Sequence, residues 1–457
     1  MAIQVFERSV RIARPVSDVF AWHERPGALQ RLTPPWEKVA VLEQRGGIRK
    51  GGRVVAAVRI GPVKSRWEVE HVDYEASRQF RDVQRRGLFR VWEHTHLFEP
   101  DGEGGTVLAD RIRFELPGAA LGRLGHGTVH ARLDRMFRYR HAVTKADLEL
   151  PPAEPGRVVI TGASGLLGNA LVPYLQTQGW QVWKAVRRRA VKADEIAWDP
   201  AAGSIDWPDG VAFDAVIHLA GANLAEGRWT EERKRVIRES RIQGTRTLVQ
   251  GLQRAAFRPR VVLSGSAIGY YGDTGNAVVD ERAAVGGGFL ADICRGWEEE
   301  VGPLDTVGVR TVRLRTGVVL TPAGGALARL EPLFRAGMGG KLGHGRQWMS
   351  WIALDDWLDG VRAALTHARI VDAVNLVAPQ PVTNAEFTRT LAQVVRRPAV
   401  ATVPAIALKA ALGQMADEAL LSGARVEPAK LLAAGHRFRF ADLEPALRHA
   451  LGRYRNV

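Results

Sequence analysis

The stretch RVVITGASGLLGNALVPYL, residues 157–175, decides the fold of this 457-residue chain. Residues 158–160 form a β-branched run that is typical of a parallel strand buried on both faces. Gly162, Gly165 and Gly168 follow, and an apolar helix-forming segment comes next. The glycines permit a tight turn, a close approach of backbone to a pyrophosphate, and close packing of helix on strand. Because a helix N-terminus attracts phosphates, the stretch predicts a dinucleotide site in the middle of the chain.

The spacing TGxxGxxG resembles the short-chain dehydrogenase/reductase superfamily, in its extended NAD(P)-dependent epimerase/dehydratase branch. Four later stretches agree with this resemblance: AVIHLAG at 215–221, RWTEERKRVIRESRIQGTRTLVQGL at 228–252, RVVLSGSAIGYYGD at 260–273 and GGKLGHGRQWMSWIALDD at 339–356. Together they are most similar to an epimerase-like subfamily with its own C-terminal module. The resemblance implies an α/β Rossmann domain, which is a doubly wound parallel sheet.

Composition and charge narrow the class of protein. The content of 46% hydrophobic and 25% charged residues is typical of a globular protein. Since Cys294 is the only cysteine, no intramolecular disulfide forms, and we expect a cytoplasmic protein. No stretch reaches the ~18 apolar residues of a membrane span. The net charge of +15 is spread along the chain, with no like-charge run longer than residues 187–189, so we expect no nucleic-acid partner.

Four segments are predicted. Residues 1–150 combine a strand, two short helices, a run of alternating strands and a long helix over 129–148. This order resembles the START-like, polyketide-cyclase superfamily, whose α+β helix-grip fold implies an apolar ligand in a cavity. Residues 151–156 are a proline-rich linker. Residues 157–380 form the Rossmann domain, and 381–457 a small helical module, with Thr383 and Glu386 as a capping box.

The resemblance assigns the cofactor to the glycine turn and to the ends of the following strands: Thr161, Gly162, Ser164, Gly165, Leu166, Leu167, Gly168, Arg187, Arg188, Leu219, Ala220 and Gly221. NAD-binding members place an acid at the end of the second strand, where this chain has Arg187 and Arg188. A guanidinium binds a 2′-phosphate through two hydrogen bonds. We therefore expect NADP(H) rather than NAD(H). The alternative is that both arginines simply cover a strand end.

Catalytic candidates follow the fifth strand. Ser266 aligns with the serine of the superfamily, which would polarise a substrate oxygen. Active members also carry a Tyr, with a Lys four residues later, but this chain has Leu290 and Cys294 at those positions. Tyr270 or Tyr271 could supply a phenol instead, although Tyr271 belongs to a YGD tripeptide and could simply pack against the sheet.

Substrate contacts are predicted in two loops, and they consist of Asn223, Arg228, Lys341, Arg346 and Trp348. Cations mixed with aromatic side chains suit an anionic or sugar-like molecule. The alternative is a loop anchored by buried tryptophans. In the first domain, His94 and His96 share one strand face with Trp92 and Phe98. A zinc site needs a third ligand, and no carboxylate partner is evident, so we expect cavity lining and no metal.

These observations leave two functions open. The first is an NADP(H)-binding, epimerase/dehydratase-like oxidoreductase that acts on a small polar substrate without the usual Tyr/Lys pair. The alternative is a non-catalytic dinucleotide sensor or regulatory protein, whose N-terminal domain binds an apolar ligand.

Overall fold

A computed structural model describes residues 3–60 and 63–455 of the chain. It divides into two compact units, one of residues 1–153 with the short pieces 176–179 and 454–457, the other of residues 154–175 and 180–453. Within the described residues, no helix combines the length and apolarity needed to cross a membrane. The domain boundaries given above stay a prediction.

The smaller unit is an antiparallel sheet with a long helix. Its strands are β1 (Gln4–Ile12), β2 (Val39–Arg45), β3 (Arg53–Ile60), β4 (Val63–Glu75), β5 (Gln79–Arg86), β6 (Val91–Pro100) and β7 (Thr106–Glu115), and its helices are α1 (Val16–Glu24), α2 (Ala28–Arg31) and α3 (Ala119–Leu148). The sheet order is β1-β7-β6-β5-β4-β3-β2. Strand β2 was not predicted, and α3 begins ten residues earlier than the apolar pattern indicates.

The core of this unit lies between the sheet and α3. Strand β6 alternates regularly between half-buried and buried side chains. From α3, Leu133 and Phe137 pack against the sheet side chains Phe6, Trp92 and Phe114. A second apolar cluster surrounds Phe98. The expected α+β architecture is therefore present, built from the alternation that half-buried strands require.

The larger unit contains a mainly parallel eight-stranded sheet. Its strands are β8 (Arg157–Thr161), β9 (Gln181–Val186), β10 (Glu195–Asp199), β11 (Ser204–Ile205), β12 (Ala215–His218), β13 (Val261–Ala267), β15 (Arg310–Thr316) and β20 (Asp372–Leu376). Short strands outside it are β14 (Val278–Val279), β16 (Val318–Leu320), β17 (Gly340–Leu342), β18 (Trp348–Met349), β19 (Trp351–Ala353), β21 (Val382–Thr383), β22 (Ala401–Val403) and β23 (Arg425–Val426).

Helices connect these strands. They are α4 (Leu166–Thr177), α5 (Glu231–Arg254), α6 (Phe289–Glu299), α7 (Gly302–Asp305), α8 (Gly325–Arg335), α9 (Leu354–Thr366), α10 (Asn384–Val395), α11 (Ala405–Leu412), α12 (Gln414–Ala416), α13 (Ala429–Ala433) and α14 (Leu443–Ala450). The capping box predicted at α10 is confirmed, with Thr383 accepting from the Glu386 backbone and Glu386 reaching back to Thr383. The α/β class and the helical C-terminal module are likewise confirmed.

The sheet order β11-β10-β9-β8-β12-β13-β15-β20 reverses direction between β8 and β12. These two strands are parallel and pair through residues 158–161 of β8 and all four residues of β12. A crevice opens at such a reversal, beyond the carboxyl ends of the strands, and it is where open α/β sheets bind ligands. The segments that follow β8, β12 and β13 are therefore the ones to consider as a site.

Candidate functional site

The glycine turn after β8 has no room for larger side chains. Gly162 adopts a φ of +72°, and a Cβ there would lie 2.7 Å from the backbone carbon of Leu219. At Gly168 a Cβ would lie 2.2 Å from the Gly162 oxygen. Gly165 is less constrained, with 3.2 Å to that same oxygen. The turn therefore brings backbone, rather than side chains, up to the crevice, as a pyrophosphate requires.

Thr161 and His218 join the ends of the two strands that border the crevice. Thr161 Oγ1 lies 2.7 Å from His218 Nδ1, and the Leu219 backbone donates to the Thr161 carbonyl at 3.2 Å. Burial lowers the pKa of His218 to about 4. The imidazole is therefore neutral at neutral pH and acts here as a structural link.

Of the two arginines predicted to select the cofactor, Arg188 is paired with a carboxylate of this chain. Both are exposed just after β9. Arg188 donates to both carboxylate oxygens of Glu195, at 2.9 and 2.7 Å. Its hydrogen bonds lower the pKa of Glu195 to about 2, so the carboxylate is ionised at neutral pH. Arg188 thus has a partner within the chain, Glu195, that was not predicted from the sequence.

Ser266 lies at the end of β13 and is part of a buried polar network. Its hydroxyl donates to Glu298 Oε1 at 2.6 Å, and Arg315 from β15 binds both oxygens of that carboxylate at 2.9 and 2.8 Å. The side chains of Arg315 and Glu298 are 5% and 12% exposed. Neither residue was singled out as functional from the sequence. The sequence carried no distinctive signal for Arg315, because β15 (RTVRLRT) contains three arginines.

The two candidate tyrosines also contact Arg315. Its guanidinium lies 3.5 Å from the ring centroid of Tyr270 and donates to the Tyr271 hydroxyl at 3.0 Å. Tyr271 in turn donates to Asn375 at 2.7 Å. Burial raises the pKa of Tyr271 to about 12, so this phenol stays protonated at neutral pH. The fold therefore places Ser266, Tyr270 and Tyr271 around one guanidinium–carboxylate pair.

Leu290 and Cys294, which the sequence predicts to replace the usual Tyr and Lys, lie on α6 (Phe289–Glu299). A Cβ on Gly269 would lie 3.1 Å from Leu290 Cβ and 3.9 Å from Cys294 Sγ. Cys294 is buried, and burial raises the pKa of its thiol to about 11. The thiol is therefore protonated at neutral pH and has no cationic role comparable to that of a lysine.

Of the predicted substrate residues, Asn223, Arg228 and Arg346 lie in loops, whereas Lys341 is in β17 and Trp348 in β18. Asn223 and Arg228 are exposed after β12, and Arg228 Nε lies 3.0 Å from the position of a Cβ on Gly413. Trp348 donates to Asn276 at 3.1 Å, and the Arg425 guanidinium lies 4.4 Å from its ring centroid. Lys341 and the exposed Arg346 flank the turn at Gly345. Whether these side chains bind one molecule stays a prediction.

The histidine pair of β6 has the carboxylate partners that were not evident from the sequence. Asp82 Oδ2 lies 3.5 Å from His94 Nδ1, and Asp110 Oδ1 lies 2.9 Å from His94 Nε2. The two aspartates come from the neighbouring strands β5 and β7, directly across from His94 and His96. The interpretation that the pair lacks such a partner was wrong, because strand pairing brings together residues far apart in sequence.

Three families match the chain in succession. Residues 4–149 match the polyketide cyclase/dehydrase and lipid transport family, 158–286 the NAD dependent epimerase/dehydratase family, and 403–450 a domain of unknown function. Over 296 residues the chain is 42% identical to an epimerase family protein of Mycobacterium bovis, which covers 65% of this chain and 98% of that protein. The chain belongs to this epimerase family.

Two solved structures extend the comparison within the family. A nucleoside-diphosphate sugar epimerase from Corynebacterium glutamicum is 32% identical, with a TM-score of 0.80, and the match covers 98% of this chain and 90% of that one. Human epimerase family protein SDR39U1, solved with NADPH, is 30% identical with a TM-score of 0.61, over 65% of this chain and 99% of that one. The epimerase-family chain thus has an NAD(P)-type dinucleotide domain, and its glycine turn fits such a cofactor.

Proposed function

We propose that this chain binds NADP(H) in the crevice beyond β8 and β12 and catalyses a redox or epimerase-type reaction on a small polar substrate. The observation that carries the proposal is the turn from Gly162 to Gly168, where a Cβ would collide with backbone at both ends. The related human protein solved with NADPH supports the choice of cofactor. The name of the Corynebacterium glutamicum relative makes nucleoside-diphosphate sugars the first substrates to test.

The residues predicted to bind the cofactor contact different parts of it. Backbone N–H groups of residues 162–168 bind the pyrophosphate at the N-terminus of α4. Arg187, which follows the second strand, binds the 2′-phosphate through its guanidinium. When bound, the nicotinamide donates or accepts a hydride. The segment 219–221, at the carboxyl end of β12, borders the crevice on its other side.

Ser266 and Glu298 provide a route for a proton. Because the Ser266 hydroxyl already donates to Glu298 at 2.6 Å, its oxygen lone pairs are available to accept from a substrate hydroxyl. In this relay the substrate hydroxyl gives its proton to Ser266 Oγ. Ser266 Oγ gives the proton that it already carries to the Glu298 carboxylate. Tyr271, held between Arg315 and Asn375, positions the guanidinium. Tyr270 is the remaining phenol for a direct contact with substrate.

A second candidate function is dinucleotide sensing without turnover. It is favoured by Leu290 and Cys294, since neither side chain can act as the usual Tyr/Lys pair. In that case Ser266 and Glu298 are structural, and NADPH binds without any chemical step. The N-terminal unit would then bind an apolar ligand.

Calorimetry on the full chain tests the cofactor. A charge-assisted hydrogen bond is worth about 1.5–3 kcal/mol, so Arg187→Ala should weaken NADPH binding about tenfold or more and leave NADH binding nearly unchanged. Arg189→Ala, two positions further along the same exposed segment, is the matched control. Equal or tighter binding of NADH by the unmodified chain would contradict the NADP(H) assignment.

Turnover separates the enzyme from the sensor. With nucleoside-diphosphate sugars as the first panel, Ser266→Ala should abolish conversion while NADPH affinity stays within about twofold, since the hydroxyl acts on substrate rather than cofactor. A structure with NADPH provides the second measurement. If only Leu290 and Cys294 faced C4 of the nicotinamide, with both phenols beyond the reach of one bridging water, the sensor function would replace the enzyme.

A further inference from the structure

A row of ionisable side chains crosses the inner face of the N-terminal sheet. His71, Asp82 and His94 pair directly across β4, β5 and β6, and His96 pairs with Asp110 across β6 and β7. Each of these five residues is buried, with at most 8% of its surface exposed. Directly paired residues point to the same face of a sheet, so the groups converge rather than alternate.

Three of these side chains have the spacing of a metal site. One ligand atom from each of Asp82, His94 and His96 lies within 4.8 Å of the other two. All three come from paired strands, so their backbone positions are fixed by the sheet. A carboxylate oxygen and two imidazole nitrogens are donors that divalent first-row transition metals accept.

Asp110 holds both imidazoles from the opposite side. Its Oδ1 lies 2.9 Å from His94 Nε2 and 2.7 Å from His96 Nδ1, while its Oδ2 lies 2.6 Å from His141 Nε2. Metal-ligating histidines commonly contact a carboxylate through the nitrogen that does not bind the ion. Asp110 thus lies beside one nitrogen of His94 and one nitrogen of His96. The other nitrogen of His94, Nδ1, lies 3.5 Å from Asp82 Oδ2.

The surroundings are apolar and leave polar atoms unsatisfied. Phe80 stacks on His96 with ring centroids 4.1 Å apart, and Phe137 lies edge-on to His94 at 5.4 Å. Nδ1 of His71, directly across from Asp82, is buried with no hydrogen-bond partner among the described residues. A buried polar atom without a partner is unfavourable, and a water bound to an ion beside Asp82 would give this nitrogen one.

We propose that Asp82, His94 and His96 bind a divalent transition-metal ion of the zinc or ferrous class inside the N-terminal domain, with Asp110 as the positioning carboxylate. Three protein ligands leave a coordination position open for water or a ligand, as in catalytic rather than structural zinc sites. Two histidines and one carboxylate are equally the donor set of non-haem ferrous sites. No metal was expected here from the sequence, because only two of the three ligands lie in one strand.

Metal uptake by the full-length chain, produced without a histidine tag, tests the proposal. After removal of metal with a chelator, Co²⁺ should bind at one equivalent and give visible d–d absorption, and Zn²⁺ should displace it. Metal analysis of the chain purified anaerobically, before the chelator is added, distinguishes zinc from iron, since Zn²⁺ outcompetes Fe²⁺ at most such sites whichever ion is native. Binding should also raise the thermal midpoint, because the ion binds only the folded site.

Matched variants locate the ion. Asp82→Asn and His96→Gln should abolish one-equivalent binding, and Asp110→Asn should weaken it by about 10–100-fold, as expected for a group that acts through the ligands. His130→Gln, an exposed histidine of α3, is the control and should bind like the unmodified chain. If a variant fails to fold, the unmodified chain alone decides. Absence of one-equivalent binding in that folded chain, or unchanged binding in folded Asp82→Asn and His96→Gln, would overturn the proposal and leave His94 as an imidazolium between two carboxylates.

Discussion

The Ser266 hydroxyl donates a hydrogen bond to Glu298 Oε1 at 2.6 Å, across 32 positions of sequence. The same oxygen accepts from Arg315 Nε at 2.9 Å. The serine is therefore held in one orientation by a carboxylate whose own position is fixed by a guanidinium. Two of the three residues lie at the carboxyl ends of neighbouring parallel strands, where α/β sheets place their chemistry.

Replacing Glu298 by Gln should destabilise the chain strongly. The change leaves Arg315 buried without its counter-charge, and removal of one partner of a buried pair costs about 3–5 kcal/mol. Glu300→Gln is the control, because Glu300 pairs with the half-exposed Arg246 and should contribute no more than about 1 kcal/mol. The free energy of unfolding in urea measures both. Equal losses in the two variants would show that the buried pair has no special role.

Gly168→Ala should disrupt the dinucleotide turn. The added methyl would lie 2.2 Å from the Gly162 oxygen, which is backbone and can move only with the whole turn. We expect a stability loss of about 1–3 kcal/mol and weakened NADPH binding. At Gly287 a Cβ would meet nothing within 4 Å, so Gly287→Ala is the matched control. Fluorescence titration with NADPH would refute the role of the turn if both variants bound like the parent.

Stability should fall as the solution is acidified, in part through His218. Its pKa is lowered from 6.5 to about 4 by burial, so between these values the unfolded chain binds a proton that the folded chain does not. This difference in proton binding lowers the free energy of unfolding by about 2 kcal/mol when the pH reaches about 5. His218→Asn should flatten the pH dependence of unfolding by this share, whereas the exposed His344→Asn should not. A steeper acid loss in His218→Asn would contradict the assignment.

Glu195→Gln should increase selectivity for NADPH over NADH. The carboxylate now occupies both Nη groups of Arg188, and its low pKa of about 2 keeps it ionised. Removing the charge frees the Arg188 guanidinium to bind the 2′-phosphate. One charge-assisted hydrogen bond to that phosphate should tighten NADPH binding about tenfold. Asp194→Asn is the control for a general loss of negative charge, since Asp194 pairs with Lys184 instead. An equal gain for NADH would argue against a contact with the 2′-phosphate.

Local features of this chain could be predicted from sequence. The capping box of Thr383 and Glu386 spans three positions, and the turn of Gly162 and Gly168 spans six, so each is visible within one window. The alternation of β6 likewise predicted which of its side chains are buried. In all three cases the signal depends on helical or strand geometry, which repeats over a few residues.

The partners of these residues could not be predicted in the same way. Ser266 and Glu298 are 32 positions apart, and Asp110 reaches His94 across 16. Their contacts depend on which strands pair and in what register, and the register is set by the whole sheet. Strand β2 was overlooked for a related reason, since none of its side chains is fully buried and its apolar alternation is weak.

Residues 1–150 should fold as an independent domain and bind an apolar molecule. Every strand of the seven-stranded sheet lies within them, and α3 supplies Leu133 and Phe137 to the core. A segment of this size buries enough surface to be stable alone.

A fragment ending at residue 117 lacks α3 and is the matched control, because it exposes the face that Leu133 covers and should aggregate. Cooperative melting of the longer fragment, with binding of an apolar fluorophore, would support the prediction. Aggregation of the longer fragment would instead show that the domain depends on the rest of the chain, and cooperative melting without fluorophore binding would indicate a filled core and remove the apolar ligand.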